Sequence, residues 1–330
     1  MNSVATPTPQ DLPDAGMRGG SGLLGTATRV VVSIVLLALI ATRIDLTALR
    51  DAFGTLRWGW VIAAALVVYA CVLISAVKWG VLLRSRGRRL LLGRLIRHYT
   101  VGFFFNNFLP TSVGGDVVRA WEAGRDLDDI PEAAASVVAE RLIASVGLAL
   151  TAALGLPFVH VGPQAYVAVA IVFVVGIGLA GLFLVPSLSE RIVRSAMGSR
   201  FEGVAGWVGR ATRSTGEMLR ARGSAAIVLA LSVGFQVLVA AVNWCLFRAL
   251  GASVSLAECV VYTSVVSAVT MVPVSISGHG VREAGYVYFF GLAGVPDAVA
   301  VTASLMFFAT VAVCTSPGAL FFAAGRRNRT

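Results

Sequence analysis

Charged side chains are scarce in this sequence. They make up 13% of its 330 residues, about half the share found in soluble domains, too few to wet the surface of a water-soluble globular protein. Cysteine and histidine are scarcer still. Cys71, Cys245, Cys259 and Cys314 all fall in apolar runs without paired CxxC spacing, which excludes a disulfide framework and a zinc site. His98, His160 and His279 lack the spacing of metal ligands. No phosphate loop of the form GxxxxGKS/T is present, so ATP hydrolysis is not expected, and no cofactor or metal is called for.

What is abundant is hydrophobicity, at 57% of residues, and the class that follows is an all-α polytopic membrane protein. The net charge of +10 does not point to nucleic acid, because the arginines cluster between apolar runs, where cytoplasmic loops of membrane proteins keep them. Runs long enough to cross a hydrocarbon core of about 30 Å occur at Trp58 to Leu83, Pro131 to Leu156, Ala165 to Val185, Ala225 to Phe247 and Asp297 to Ala324. A shorter run, Val30 to Ala41, lacks a cleavage signature and reads as a short first span with Arg29 and Arg43 at its ends. That makes about six full spans. Residues 1–25, rich in Pro, Gly, Ser and Thr, read as a disordered cytoplasmic tail, and 26–330 as a single transmembrane domain.

The segment Arg84 to Arg97 holds six arginines, Arg191 to Arg222 holds seven, and the chain ends with Arg326, Arg327 and Arg329, whereas Pro157 to Gln164 has none. The three basic segments are therefore expected on the cytoplasmic side together with both termini. Arg43 to Arg57, with three arginines and two aspartates, is the exception to this pattern.

Two further apolar stretches, Leu95 to Leu109 and Glu258 to Val272, each stop at a proline and are followed by charged, glycine-containing sequence. Residues 98–130 must enter and leave by the same face for the next span to end at the uncharged loop, so the stretch is predicted to be re-entrant. The second break matches the first. PTSVGGDVVR at 110–119 and PVSISGHGVR at 273–282 share the pattern PxSxxGxxVR; upstream AVKW at Ala76 to Trp79 matches AVNW at Ala241 to Trp244, and downstream IPEA at Ile130 matches VPDA at Val295. The offsets are 165, 163 and 165 residues in chain order, which indicates an internal duplication with units of about 58–156 and 223–324. The arginine bias gives the two units opposite topology. An inverted repeat with two re-entrant broken hairpins is a transporter architecture whose site lies between the repeats near the midplane.

Irregular backbone at membrane depth is tolerated only where it is buried in protein or lines a polar cavity. Pro110 and Pro273 end the half-helices, while Gly114, Gly115, Gly278 and Gly280 permit tight turns whose freed N–H groups, with Ser112 and Ser275, can face an anion. Arg119 and Arg282 are equivalent under the repeat, and guanidinium suits bidentate contact with phosphate. The competing reading pairs them with Glu122 and Glu283 as structural partners. Asp116 aligns with His279, an arrangement that would suit proton coupling. Adjacent Glu140 and Arg141 lie two turns into their span and each need a partner, Lys78 can snorkel to the interface, and His98 reads as a juxtamembrane polar residue.

NNFLPTSVGGDVVRAW, VPVSISGHGVREAG and the Glu140–Arg141 pair resemble the flippase-like family named after the transmembrane region of lysylphosphatidylglycerol synthase. The likeness runs from about residue 25 to the end. It implies a region that moves lipids between leaflets, and a stand-alone member without the soluble synthase domain that some relatives carry. Carried over position by position, it implicates Asn106, Pro110, Gly114, Gly115, Asp116, Arg119, Glu140, Arg141, Pro273, Gly278, Gly280, Arg282 and Glu283. Ser277 and His279 depart from the glycine and the apolar residue the family pattern would place there.

The sequence therefore favours a transporter over an enzyme, a lipid translocase in a prokaryotic inner membrane. Its substrate would be an anionic lipid or lipid-linked phosphate, either a phospholipid or a polyprenyl-phosphate carrier. The headgroup site would be built from Asn106, Ser112, Gly114, Gly115, Asp116, Arg119, Ser275, Gly278, His279, Gly280, Arg282 and Glu283, with Pro110, Pro273, Glu140 and Arg141 structural or gating. The alternatives are a membrane-embedded transferase using Asp116, Glu283 or His279 as acid or base, and a non-catalytic partner of a separate lipid-modifying transferase.

Overall fold

The structure, a computed structural model, describes residues 56–108, 114–159, 163–184, 202–270, 278 and 280–327. The first predicted span, the N-terminal tail, Pro110, Ser112, Pro273, Ser275 and His279 lie outside these residues. The described chain is all-helical, and four of its stretches are long and apolar enough to cross a membrane: Trp58–Ser85, Ile130–Phe158, Arg222–Ala249 and Asp297–Ala324.

In chain order the described helices are α1 (Trp58–Ser85), α2 (Leu92–Phe108), α3 (Gly114–Leu127), α4 (Ile130–Gly155), α5 (Pro163–Leu184), α6 (Glu202–Arg220), α7 (Arg222–Ala249), α8 (Leu256–Thr270), α9 (Val281–Gly291), α10 (Asp297–Thr315) and α11 (Pro317–Arg327), with a 3-10 turn, Leu156–Phe158, after α4. The long runs read from hydrophobicity thus become α1, α4, α5 and α7. The last run is divided between α10 and α11 at Ser316, because Pro317 has no N–H to continue the ladder. The basic segment before α7, expected on the cytoplasmic side, contains the helix α6. It buries Thr212, Thr215 and Met218 against α4 while its arginines remain outside.

Exposed apolar residues trace the lipid-facing side. On α1 the outward positions are Trp58, Ile62, Leu66, Tyr69, Leu73 and Val77, spaced by three or four residues as one face of a helix requires. The opposite face, with Ala64, Val68, Val72, Ala76 and Trp79, is buried. Its main partner is α7, and the two cross-pack through Val242, Cys245 and Leu246. All four cysteines are free and buried in such contacts.

The short helices come in pairs. At about 1.5 Å per residue, α2 and α3 reach roughly 25 and 21 Å and α8 and α9 roughly 22 and 16 Å, each less than a hydrocarbon core of about 30 Å. α2 packs along α3, and α8 along α9. The first pair is fixed by a backbone approach at Gly115, where a Cβ would stand 1.9 Å from the Gly102 carbonyl oxygen. Asn106 completes the joint by accepting the Gly115 N–H through Oδ1 at 2.8 Å.

The same order of elements and the same end devices recur in the two halves. α1 and α7 are both 28 residues long. Each stops at a left-handed glycine, Gly87 at φ 71° and Gly251 at φ 76°, with the residue beyond bonding back across the turn (Arg88 N to Leu83 O, Ala252 N to Phe247 O). α3 is followed directly by Asp128 at positive φ, and Gly294, also at positive φ, lies three residues past the end of α9. Just beyond, Pro131 sits in the first turn of α4 and Pro296 precedes α10. Asp129 caps α4 through its side chain, accepting the Glu132 N–H at 3.1 Å.

A methyl group at Gly115 has no room, whereas at Gly93 on the same hairpin no atom lies within 4 Å. Gly115→Ala is expected to lower stability by about 3 kcal/mol through overpacking and Gly93→Ala to leave it unchanged or slightly higher, read as the thermal unfolding midpoint in detergent.

Candidate functional site

Five charged side chains from three helices converge inside the first half. Arg119 on α3 is 2% exposed, and Glu140 on α4 and Lys78 on α1 are 3% and 4% exposed. Glu140 is the shared acceptor. Its Oε1 lies 3.1 Å from Lys78 Nζ, its Oε2 lies 2.9 Å from Arg119 Nη1, and the Tyr99 hydroxyl on α2 donates to Oε1. Asp116, one turn before Arg119, meets Arg119 Nη2 at 3.4 Å and Arg141 Nε at 2.7 Å.

Aromatic faces close the cluster. The Arg119 guanidinium lies 4.1 Å from the Tyr99 ring centre and 4.8 Å from that of Trp79, contacts that favour a cation most when it is desolvated. Trp79 is itself held by its indole N–H, which donates to Ser136 Oγ at 2.9 Å. Lys78 stands 4.8 Å over the Phe235 ring of α7. A membrane interior cannot tolerate such charges singly, and their mutual pairing is the condition for burying them.

The pairing is incomplete in one respect. Lys78, Arg119 and Arg141 bring three positive charges, and Asp116 and Glu140 bring two negative ones, so the cluster carries a surplus of one positive charge. It also borders a cavity of about 260 Å³ lined by α1, α2, α4, α7 and α8. Lys78, Glu140 and Arg141 provide its charged wall, and Ser75, Ser145, Gln236 and Ser267 provide neutral hydrogen-bonding groups. Arg141 is the accessible cation, with a side chain 46% exposed. An apolar recess of about 80 Å³ between Val68, Val72, Phe307 and Val311 shares Phe103, Phe235 and Val239 with the polar cavity.

The structure brings together Asp116, Arg119, Glu140 and Arg141 and sets Gly115 and Asn106 at the hairpin joint beside them. Gly114 opens α3. Arg282 and Glu283 belong to a second network. Arg282 Nη2 donates to Glu283 Oε1 at 2.9 Å, its Nε reaches Ser304 Oγ at 3.1 Å, and its guanidinium lies 5.3 Å from the Phe308 ring. Glu283 also accepts the N–H of Gly280, at φ 84°, through Oε2 at 2.6 Å, and Gly278 sits at φ 76°. The pairing of Arg282 with Glu283 is as the structural reading anticipated. That of Arg119 with Glu122 is not, because Glu122 is taken by His98 and Arg119 by Glu140 and Asp116.

Two members of the site escaped sequence reasoning. Lys78 does not snorkel to an interface but is buried against Glu140, and Tyr99 was passed over. Both carried a signal: Lys78 lies in the matched AVKW tetrapeptide, and Tyr99 stands 163 residues before Tyr262, the offset of the two PxSxxGxxVR motifs.

Glu140→Gln removes one charge from a pocket that holds two buried cations on it. It is expected to destabilise the protein by about 3 to 5 kcal/mol, and adding Lys78→Met to recover a substantial part of that loss. The thermal midpoints of the single and double variants measure both.

No curated protein matches the chain in a comparison of sequences. The family described as the lysylphosphatidylglycerol synthase TM region matches residues 26–318, a stretch that takes in both PxSxxGxxVR motifs and every charged group of the cluster. On that match this multi-pass, all-helical membrane protein belongs to the lysylphosphatidylglycerol synthase transmembrane-region family.

Proposed function

We propose that the chain is a lipid translocase that holds an anionic headgroup, of a phospholipid or a polyprenyl-phosphate-linked lipid, in the polar cavity between α1, α2, α4, α7 and α8. The observation that carries this reading is the surplus positive charge of the buried cluster on the wall of that cavity. A single anionic group would balance it, and guanidinium and ammonium donors are the strongest partners for phosphate oxygens. Arg141 and Lys78, which face the cavity, are the headgroup ligands in this reading, and Arg119 positions Glu140 and Asp116 behind them. The apolar recess beyond Phe103 and Phe235 is suited to the first methylenes of a lipid tail.

The repeated element order supports alternating access. In this reading α2–α3 and α8–α9 are re-entrant hairpins entering from opposite faces, the repeat is inverted, and the arginine-rich segments and termini lie on the cytoplasmic side of a prokaryotic inner membrane. Family membership supports a link to lipid modification or translocation. The transferase reading is less well supported, because it needs a free acid or base at the cavity, and Glu140 and Asp116 are both engaged in ion pairs.

Reconstituted liposomes carrying a fluorescent anionic phospholipid test this directly. The purified chain is expected to accelerate leaflet transfer, and Arg141→Gln to slow it about tenfold or more, as loss of one charge-assisted contact worth about 1.5 to 3 kcal/mol requires. Because Arg141 is half exposed, the variant should fold normally. Transfer unchanged in both Arg141→Gln and Lys78→Gln would remove the site.

A further inference from the structure

A second buried cluster lies next to the first and is used by nothing described so far. His98 on α2 is fully buried, and both of its ring nitrogens face carboxylates of α3: Nδ1 is 3.2 Å from Glu122 Oε2 and Nε2 is 3.0 Å from Asp126 Oδ2. A neutral imidazole has one N–H and one lone pair. Set between two ionised carboxylates, it satisfies one contact and opposes lone pair to lone pair in the other. The observed geometry closes only when the three groups together hold one additional proton, as an imidazolium between two carboxylates or as a neutral imidazole facing one carboxylic acid.

We propose that His98, Glu122 and Asp126 form a proton-binding site that clamps the α2–α3 hairpin. Both contacts cross from α2 to α3, so the proton is shared across the joint of the hairpin that carries Asp116 and Arg119. Loss of the proton opens one of the two contacts and leaves the hairpin held on this side by the other. Other charged and aromatic groups stand around the ring. On α2, Arg94 Nη1 lies 3.9 Å from Asp126 Oδ2 and Arg97 Nη2 lies 3.7 Å from Glu122 Oε1. α1 presents the neutral Trp79, edge-on at 6.3 Å between ring centres. On α4, Glu132 is engaged by Arg86 and Ser214, and Glu140 by Lys78 and Arg119. α11 meets α2 through Gly318 at Thr100 and Phe104.

Trp79 is the physical link between the proton site and the ion-pair cluster. One indole contacts the His98 ring and also lies under the Arg119 guanidinium. A change in the hairpin at His98 is therefore felt at the wall of the cavity. If the translocase reading holds, transport acquires a pH dependence set at this site; the proton site itself does not rest on that reading.

The chain has only three histidines, which makes imidazole NMR of the full-length protein in detergent, with carbon-13-labelled histidine, a direct test. His98→Gln identifies the His98 resonance by its loss. Across a series of rising pH the site is expected to lose its proton, read as weakening of amide protection along α2 and α3 together with any shift of that resonance. Glu122→Gln supplies a donor to the ring lone pair and removes the need for the proton. In this variant the resonance should stay at its neutral position and the hairpin should remain protected across the range. Should His98→Gln fail to fold, the resonance displaced in Glu122→Gln makes the assignment. Amide protection of α2 and α3 that does not change with pH in the wild type, or that changes identically in Glu122→Gln, overturns the proposal. Leaflet transfer measured on the same proteins separates the two ideas: titration without any lipid movement at any pH defeats the translocase reading and leaves the proton site standing.

Discussion

The carboxylate of Glu140 is the constraint on which the first half of the molecule depends. It receives donors from three other helices at once, Lys78 of α1, Tyr99 of α2 and Arg119 of α3. Two cations buried beside one another would repel and would each be costly in a medium of low dielectric; a shared anion between them converts both costs into cohesion. The consequence for architecture is direct. Neither α2 nor α3 is long enough to cross the bilayer, so this pair of helices has to be held by what it touches, and Glu140 holds one residue of each.

From that arrangement the cavity follows. Because the charged groups are tied to one another on the α4 side, the space between α4, α7 and α8 is lined by their outward edges and by neutral serines and Gln236, and it keeps a positive surplus. The corresponding region of the second half is built differently on similar backbone. Where α1 has Lys78 within AVKW, α7 has Asn243 within AVNW. That asparagine accepts from the Tyr286 hydroxyl and donates to the Val239 carbonyl oxygen at 3.0 Å. Arg282 closes on its own neighbour Glu283 and on Ser304. Among the described residues, the cluster with surplus charge lies beside the first of the two short-helix pairs, α2 and α3.

Much of the fold was legible from hydrophobic run length and from glycine and proline. The ends of α2 at Phe108 and α8 at Thr270, the starts of α4 and α10 at proline-bearing turns, and the short helices α3 and α9 all fall where a local rule puts them. α6 was not legible, because its seven-arginine neighbourhood looks like a solvated loop until α4 offers a surface for Thr212, Thr215 and Met218. At the site, Asp116, Arg119, Glu140 and Arg141 were legible as charges in a place where charges are expensive. Their partners were not. Glu122 is as near to Arg119 along its helix as Asp116 is, and the facing helices decide the pairing: His98 and Arg97 of α2 meet Glu122, while Glu140 of α4 meets Arg119.

By itself, the sequence determined that this is a helical membrane protein, that two stretches are interrupted by proline and glycine, and that a handful of charged residues sit within apolar surroundings. Those conclusions depend on properties of residues and their spacing, which are local. The pairing of Lys78 with Glu140, the placing of Tyr99 and Trp79 against Arg119, and the two carboxylates on His98 were decided by tertiary structure alone. Each joins residues 20 to 62 positions apart on different helices. Which face of one helix meets which face of another is set by packing over their whole length, to which any single pair contributes little.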